Sequence, residues 1–358
     1  MEPSFNQIHP NFKLNGVHYD MDGLKKLAQI LAKEEELYKV TIGQFLMAWL
    51  DDTATLEVHT SGSTGTPKVF ALKKVHMANS ALATGIFFKM GAGTKALLCL
   101  SAQHIAGKMM LVRAMVLGWE IDVLEPTSNP LEKTTGGYDF GAMVPLQAAE
   151  SLSRLDQIKT LIIGGAPISP ELKLELLGVP SKIYETYGMT ETITHIAVKE
   201  VGDNLHNNSF KVLPDISLSK DDRNCLIIEA PKVSDHIIVT NDLVKLISPT
   251  EFQWLGRYDN VINSGGIKLI PEQIESKLSN IINGRFFVAG ITDVNLGQKL
   301  ILVVEGDVDT KQLFHDIKSL PALTKYEVPK DVFSLPQFID TKNGKLNRTE
   351  TMRALKLE

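Results

Sequence analysis

The feature that most constrains the fold is an alternation, between residues 56 and 185, of short apolar runs with longer stretches of helical period. Residues 56–59, 95–100, 121–124, 160–163 and 182–185 read as strands. Residues 75–88, 105–118, 145–152 and 171–177 read as helices between them. Parallel strands need a crossover, usually helical, so strand and helix in turn predict an α/β domain on a largely parallel sheet. Ahead of it, 22–33 and 43–50 carry apolar positions at helical spacing. Near Asn204 the pattern changes, and 225–229, 237–240 and 244–247 read as strands separated by turns.

A fresh unit follows Gly256-Arg257-Tyr258-Asp259. Pro271 opens a helix at a favoured first-turn position, with Ile274, Leu278 and Ile281 on one face. Strands at 286–291 and 299–305, a helix at 310–318 and a strand at 331–335 complete a small α+β domain. The expected domains are 1–258 and 259–358, with the boundary at Arg257–Asn260. The 358 residues suit two domains of about 100–200 residues each.

Composition excludes several classes. Lys plus Arg is 37 and Asp plus Glu 42, a net −5, which argues against a broad basic face for nucleic acid. Cys99 and Cys225 are the only two cysteines, too few for a disulfide framework or a cysteine zinc site. Each sits in an apolar stretch and is expected to be a buried small hydrophobe. The most apolar long stretch, 105–119, is interrupted by Lys108 and Arg113 and falls short of the roughly 20 residues of a spanning helix. The first twelve residues lack the basic and apolar regions of an export signal. A cytoplasmic protein without membrane insertion is expected.

Five segments carry chemistry-bearing residues. The first, TSGSTGTPK at 60–68, holds Thr60, Ser61, Gly62, Ser63, Thr64, Gly65 and Lys68 directly after a strand. Glycines allow close backbone approach, and backbone N–H groups with hydroxyls and a lysine make a concave anion site. Its spacing is not that of a Walker loop. The others are YETYGMTET at 184–192, TNDL at 240–243, GRYDNVINSGGIKLIPEQIE at 256–275 and NGKLNR at 343–348. Singly, each has a plain structural explanation: a helix N-terminus at Thr190-Glu191, a turn at Asp242, a surface lysine at Lys345.

Together and in this order the five segments resemble the adenylate-forming superfamily, which includes acyl-CoA synthetases, luciferases and peptide-synthetase adenylation domains. The resemblance runs from about Glu57 to Arg348. It implies the adenylate-forming fold, a large N-terminal domain with largely parallel sheets and a small mobile C-terminal domain. It implies ATP, Mg²⁺ and coenzyme A as cofactors and co-substrate, and a small carboxylic acid as the partner. Homo-oligomer formation stays open. By resemblance, residues 60–68 hold the ATP phosphates. Gly164 and Gly165 border adenine and the acyl group, and Tyr187 stacks on adenine beside Gly188, which bounds the acid. Thr190 contacts the α-phosphate and Glu191 holds the magnesium. Asp242 takes the ribose hydroxyls, with Arg257 beside it. Lys345 is the catalytic lysine. Asp259 is the hinge about which the C-terminal domain rotates, bringing Ser264, Gly265 and Gly266 to the thiol.

The chain also departs from the family. Its phosphate loop starts at residue 60, earlier than in typical members, and the hinge reads Asp259-Asn260 where many members have two acidic residues.

The block Ser101-Ala102-Gln103-His104-Ile105-Ala106-Gly107, followed by Arg113, resembles that of o-succinylbenzoate–CoA ligases of menaquinone synthesis. Another aryl or short-chain acid, or an adenylation module serving a carrier protein in trans, are the alternatives. The expected acid has a second carboxylate that needs a cation. Lys108 and Arg113 are five apart, so their directions on a helix differ by about 140°. Lys108 lies one turn from His104. The two cannot easily line one pocket, so Lys108 is expected to meet the carboxylate, with His104 as pocket wall or hydrogen-bond donor and the other cation, Arg113, solvated.

Overall fold

The computed structural model describes residues 7–60, 68–202, 208–340 and 346–357. Two units emerge. One comprises Met1–Ser219, Ile227–Ile238 and Ile247–Phe252; the other comprises Lys220–Leu226, Val239–Leu246 and Gln253–Glu358. The strands Cys225–Glu229, Ile238–Ser248 and Glu251–Arg257 each contribute residues to both.

The first unit is built on parallel strands. Lys95–Leu98 pairs with Glu120–Val123 on one side and Tyr138–Met143 on the other. Ile158–Ile163 and then Lys182–Gly188 extend the sheet in parallel. Numbered along the chain, these five strands stand in the order 2-1-3-4-5. In such an open sheet the connections leave in opposite directions from strand 1, and ligands bind at the carboxyl ends of the strands near that switch. Antiparallel additions flank it: His195–Glu200 pairs with Lys182–Gly188, and Phe210–Val212 with His195–Glu200. Alternate residues serve the two faces. Leu97, Cys99, Leu161 and Ile163 pack with Ala148, Leu155, Leu172 and Leu176 on one. Elsewhere in the core, Phe140 meets Phe88 and Trp119 with ring centroids 5.5 and 5.1 Å apart.

In the second unit, Phe286–Asp293 and Gly297–Glu305 form a long antiparallel pair, with Asp331–Leu335 parallel to the latter. Alternation divides its core: Val288, Leu300, Leu302 and Val304 join Ile274, Leu278 and Ile317, while Phe287, Ile301 and Val303 join Phe338 and Met352.

Several expectations change. The runs 237–240 and 244–247 are one strand, Ile238–Ser248, whose turn-like Asn241-Asp242 lies within it. Lys68–Lys73 is a strand pairing with Thr55–Thr60, so the glycine-rich segment joins two antiparallel strands rather than a strand and a helix. Tyr138–Met143, His195–Glu200, Ile262–Ser264 and Ile267–Leu269 are further strands, and Arg348–Ala354 a further helix. Both cysteines are buried and free, and burial pushes the Cys99 thiol up to about 12. No helix among the described residues is long and apolar enough to cross a membrane.

Candidate functional site

In the first unit the candidate residues follow the carboxyl ends of the parallel strands. The strand Lys95–Leu98, at the switch, leads into the turn that carries His104 at the entry of the helix Ile105–Leu117. Lys108 Nζ donates to Ala102 O at 2.6 Å and Gln103 O at 2.9 Å, closing that turn onto its own helix. The ammonium is partly buried, which lowers its pKa. His104 and Lys108 do share a side, and with Thr41, Gln44, Glu57 and Gln103 they line an open cleft of about 620 Å³.

Gly164 and Gly165 leave the strand Ile158–Ile163, and Gly164 N–H donates to Met143 O at 3.1 Å. The strand Lys182–Gly188 delivers Tyr187 and Gly188. Tyr187 meets Phe252 edge-on at 5.1 Å, and Phe252 stacks on Phe210 at 5.4 Å, so the tyrosine ring is braced on an aromatic pair. Gly188 is obligatory here: a Cβ would lie 2.3 Å from Thr194 O. That close approach lets the chain fold back within seven residues. Thr190–Thr192 makes a short 3₁₀ turn in which the Thr192 hydroxyl accepts from Met189 N–H at 3.0 Å. Thr190 is half-buried and Glu191 exposed. Ile193 follows with φ 66°, a conformation that a β-branched residue adopts only under strain.

Beyond the turn lies a cluster that the sequence reading misassigned. Arg113 is 1% exposed, not solvated. Its Nε lies 3.3 Å from Thr84 Oγ1, its Nη1 3.5 Å from Met110 Sδ, and its Nη2 3.3 Å from His195 Nδ1. Burial lowers the guanidinium to about 9 and, with the neighbouring cation, holds His195 well below the usual histidine range. His195 lines a cavity of about 220 Å³ with Asn79, Ser80 and Lys232. The signal for Arg113 was present: every other residue from 109 to 116 is apolar, leaving no wet face for a charge in that part of the helix.

In the second unit Asp242 is buried. Its Oδ1 accepts from Trp254 Nε1 at 3.2 Å and Arg257 Nη1 at 3.5 Å. Arg257 also reaches Asp259 Oδ2 at 3.3 Å, and Asn241 Nδ2 donates to the same oxygen at 3.1 Å. Trp254 was not singled out from the sequence. Gly265 and Gly266, with φ 58° and 82°, make the two-residue turn between Ser264 and Ile267, as glycine pairs in tight hairpins do. Ser61, Gly62, Ser63, Thr64, Gly65 and Lys345 lie outside the described residues, while Thr60 ends one strand and Lys68 begins the next. Among the described residues no three His, Cys, Asp or Glu side chains are grouped to hold a metal.

The profile of the AMP-binding enzyme family matches residues 9–218. A solved acyl-CoA synthetase (AMP-forming)/AMP-acid ligase II-like protein from Dyadobacter fermentans is 36% identical. It covers 92% of this chain and 98% of its own, with TM-score 0.62. The 2-succinylbenzoate–CoA ligase of Escherichia coli K12 is 25% identical over 310 residues, 80% of this chain; the chain spans 65% of that relative's length. The fold is shared with O-succinylbenzoate coenzyme A synthetase from Bacillus subtilis, solved with ATP and magnesium ion. That match has TM-score 0.71 at 20% identity, over 82% of this chain and 69% of that one. This chain belongs to the AMP-binding enzyme family.

Proposed function

We propose that the chain is an ATP-dependent carboxylate–CoA ligase working through an acyl-adenylate, and that its acid is o-succinylbenzoate. The carboxylate attacks the α-phosphorus and pyrophosphate leaves; the thiol of coenzyme A then attacks the adenylate carbonyl and AMP leaves. The first step brings two anions together, so it needs fixed donors and positive charge at phosphorus. Thr190 and Lys345 supply them directly, and Glu191 would hold a Mg²⁺ that adds positive charge. Mg²⁺ usually takes one or two carboxylates and completes its shell with phosphates and water. A single exposed carboxylate, Glu191, fits a metal held mainly by the nucleotide. Tyr187, with Gly164 and Gly165, borders adenine; Asp242 and Arg257 face the ribose; Asp259 is the hinge for residues 264–266.

One observation carries the choice of acid. Among the described residues, the contacts of the buried Arg113 cation are a hydroxyl, a thioether and a neutral imidazole, with no carboxylate among them. A buried charge without a counter-charge is costly unless a ligand supplies one. An acid with a second, unreacting carboxylate supplies it, and a simple aryl or short-chain acid does not. Lys108, already spent on two carbonyls, is the weaker candidate. The naming of the Escherichia coli relative as a 2-succinylbenzoate–CoA ligase supports the same acid.

The test is ATP–pyrophosphate exchange across a panel of acids, followed by AMP release with and without coenzyme A. Exchange should be strongest with o-succinylbenzoate, and AMP turnover should require coenzyme A. Equal exchange with benzoate or butyrate would overturn the acid. Exchange without coenzyme A-dependent turnover would overturn the ligase.

A further inference from the structure

We propose that Trp254 is a positioning residue that sets the orientation of the Asp242 carboxylate for the hydroxyls of a nucleotide ribose. The inference rests on the ribose role proposed for Asp242 and adds the group that makes it specific.

Asp242 sits inside the strand Ile238–Ser248, 6% exposed. Its backbone is pinned: its N–H donates to Thr240 Oγ1 at 3.0 Å, and that hydroxyl donates to Leu226 O at 2.9 Å. A fixed backbone still leaves a carboxylate free to turn about its last, broad torsion. Trp254 and Arg257 both donate to its Oδ1. Arg257 is the looser: 47% of its side chain is exposed, its contact is 3.5 Å, and it divides its donors with Asp259. Trp254 is the tighter at 3.2 Å, from a part-buried, rigid ring. Indole is a donor only, so it cannot compete with Asp242 for the protons of the hydroxyls. It adds no charge either. A hydrogen bond from a neutral, rigid donor to one oxygen selects one carboxylate rotamer. A pair of vicinal hydroxyls needs just such a fixed acceptor, because both its donors must be met together.

The experiment uses the full-length enzyme in ATP–pyrophosphate exchange. Trp254→Phe keeps the ring's bulk and removes the N–H; Trp254→His keeps a ring N–H of shorter reach. A hydrogen bond to a charged group is worth about tenfold. Trp254→Phe should therefore raise KM for ATP about tenfold, with kcat at saturating ATP within about twofold of wild type. The same variant should leave KM for 3′-deoxy-ATP nearly unchanged, because that analogue no longer presents the pair. Trp254→His should recover part of the loss. An equal rise for ATP and 3′-deoxy-ATP, or no rise for either, overturns the role of Trp254. Asp242→Asn separates the two ideas. If it raises KM for ATP while Trp254→Phe does not, Trp254 alone is refuted. If Asp242→Asn leaves KM for ATP unchanged, the ribose role falls and the inference with it.

Discussion

Arg113 Nη2 and His195 Nδ1 lie 3.3 Å apart, both side chains buried. A guanidinium has donors and no acceptor, so Nδ1 must accept. The imidazole proton is thereby assigned to Nε2, which is buried with no hydrogen-bond partner among the described residues. One contact thus leaves a buried cation and a buried N–H, both suited to an anion or a carbonyl oxygen.

Arg113→Met should therefore discriminate between acids. For o-succinylbenzoate, KM should rise at least about 30-fold, the cost of removing one member of a buried charge pair. For 4-oxo-4-phenylbutanoate, which lacks the ring carboxylate, the change should be small. Steady-state kinetics on the two acids, with a melting curve to verify folding, decides. A parallel loss on both acids would show that Arg113 serves packing instead.

The same pair predicts a pH dependence of stability. His195 is held neutral, well below its unfolded value of 6.5, by burial first and by Arg113 second. Below pH 6.5 the unfolded chain binds a proton that the folded chain refuses, so stability falls as pH falls. For one group the limiting slope is about 1.4 kcal/mol per pH unit. Urea unfolding from pH 7.5 to 5.0 should show this decline, and His195→Gln should flatten it. An unchanged slope in the variant would mean that other groups cause it.

Asp51 and Lys74 make a second stability prediction. Lys74 is fully buried at the start of its helix and donates to Asp51 Oδ1 at 2.7 Å and to Asp51 O at 3.0 Å. Hydrogen bonds from Lys74 and Thr53 hold the Asp51 carboxyl at about 2, below its usual 3.8. Its contribution is complete above pH 4 and is lost as pH falls through 2. Removing a partner of a buried charge costs several kcal/mol, but the Asp51 side chain is 46% exposed and solvent screens it. Asp51→Ala should cost about 1–2 kcal/mol at pH 7 and only a small fraction of that at pH 2. Denaturant midpoints at the two pH values test this.

How far these features could be read from the sequence depends on whether the cause is local. Thr310–Lys318 and Asp331–Leu335 were legible to the residue, because amphipathic period and an apolar run mark them. Tyr138–Met143 was not: Asp139 and Gly141 break its apolar run, and their reasons are tertiary. Asp139 accepts from Lys95 N–H at 2.9 Å and Lys159 Nζ at 2.8 Å, and a Cβ on Gly141 would press on Ile158. In the candidate site, the order of motifs nominates Tyr187, Glu191 and Asp242, but nothing local pairs His195 with Arg113. The helical angle between Lys108 and Arg113 was read correctly as divergent. What it could not tell was which direction led to water.

Lys345 offers the sharpest division between the two half-reactions, although it lies outside the described residues. Its proposed task is to neutralise charge where the carboxylate attacks phosphorus, and that charge exists only during adenylation. The thioester step breaks a carbonyl–phosphate bond already activated by AMP and does not need that lysine. Lys345→Ala should reduce acyl-adenylate formation by at least about 100-fold, the scale of losing one preorganised electrostatic group. Supplied with synthetic acyl-adenylate and coenzyme A, the variant should form thioester at a rate within a few-fold of wild type. Rapid-quench measurement of each half-reaction separates the outcomes. If both steps fall together, Lys345 supports binding or folding in general. If neither falls, the positive charge at phosphorus comes from another residue.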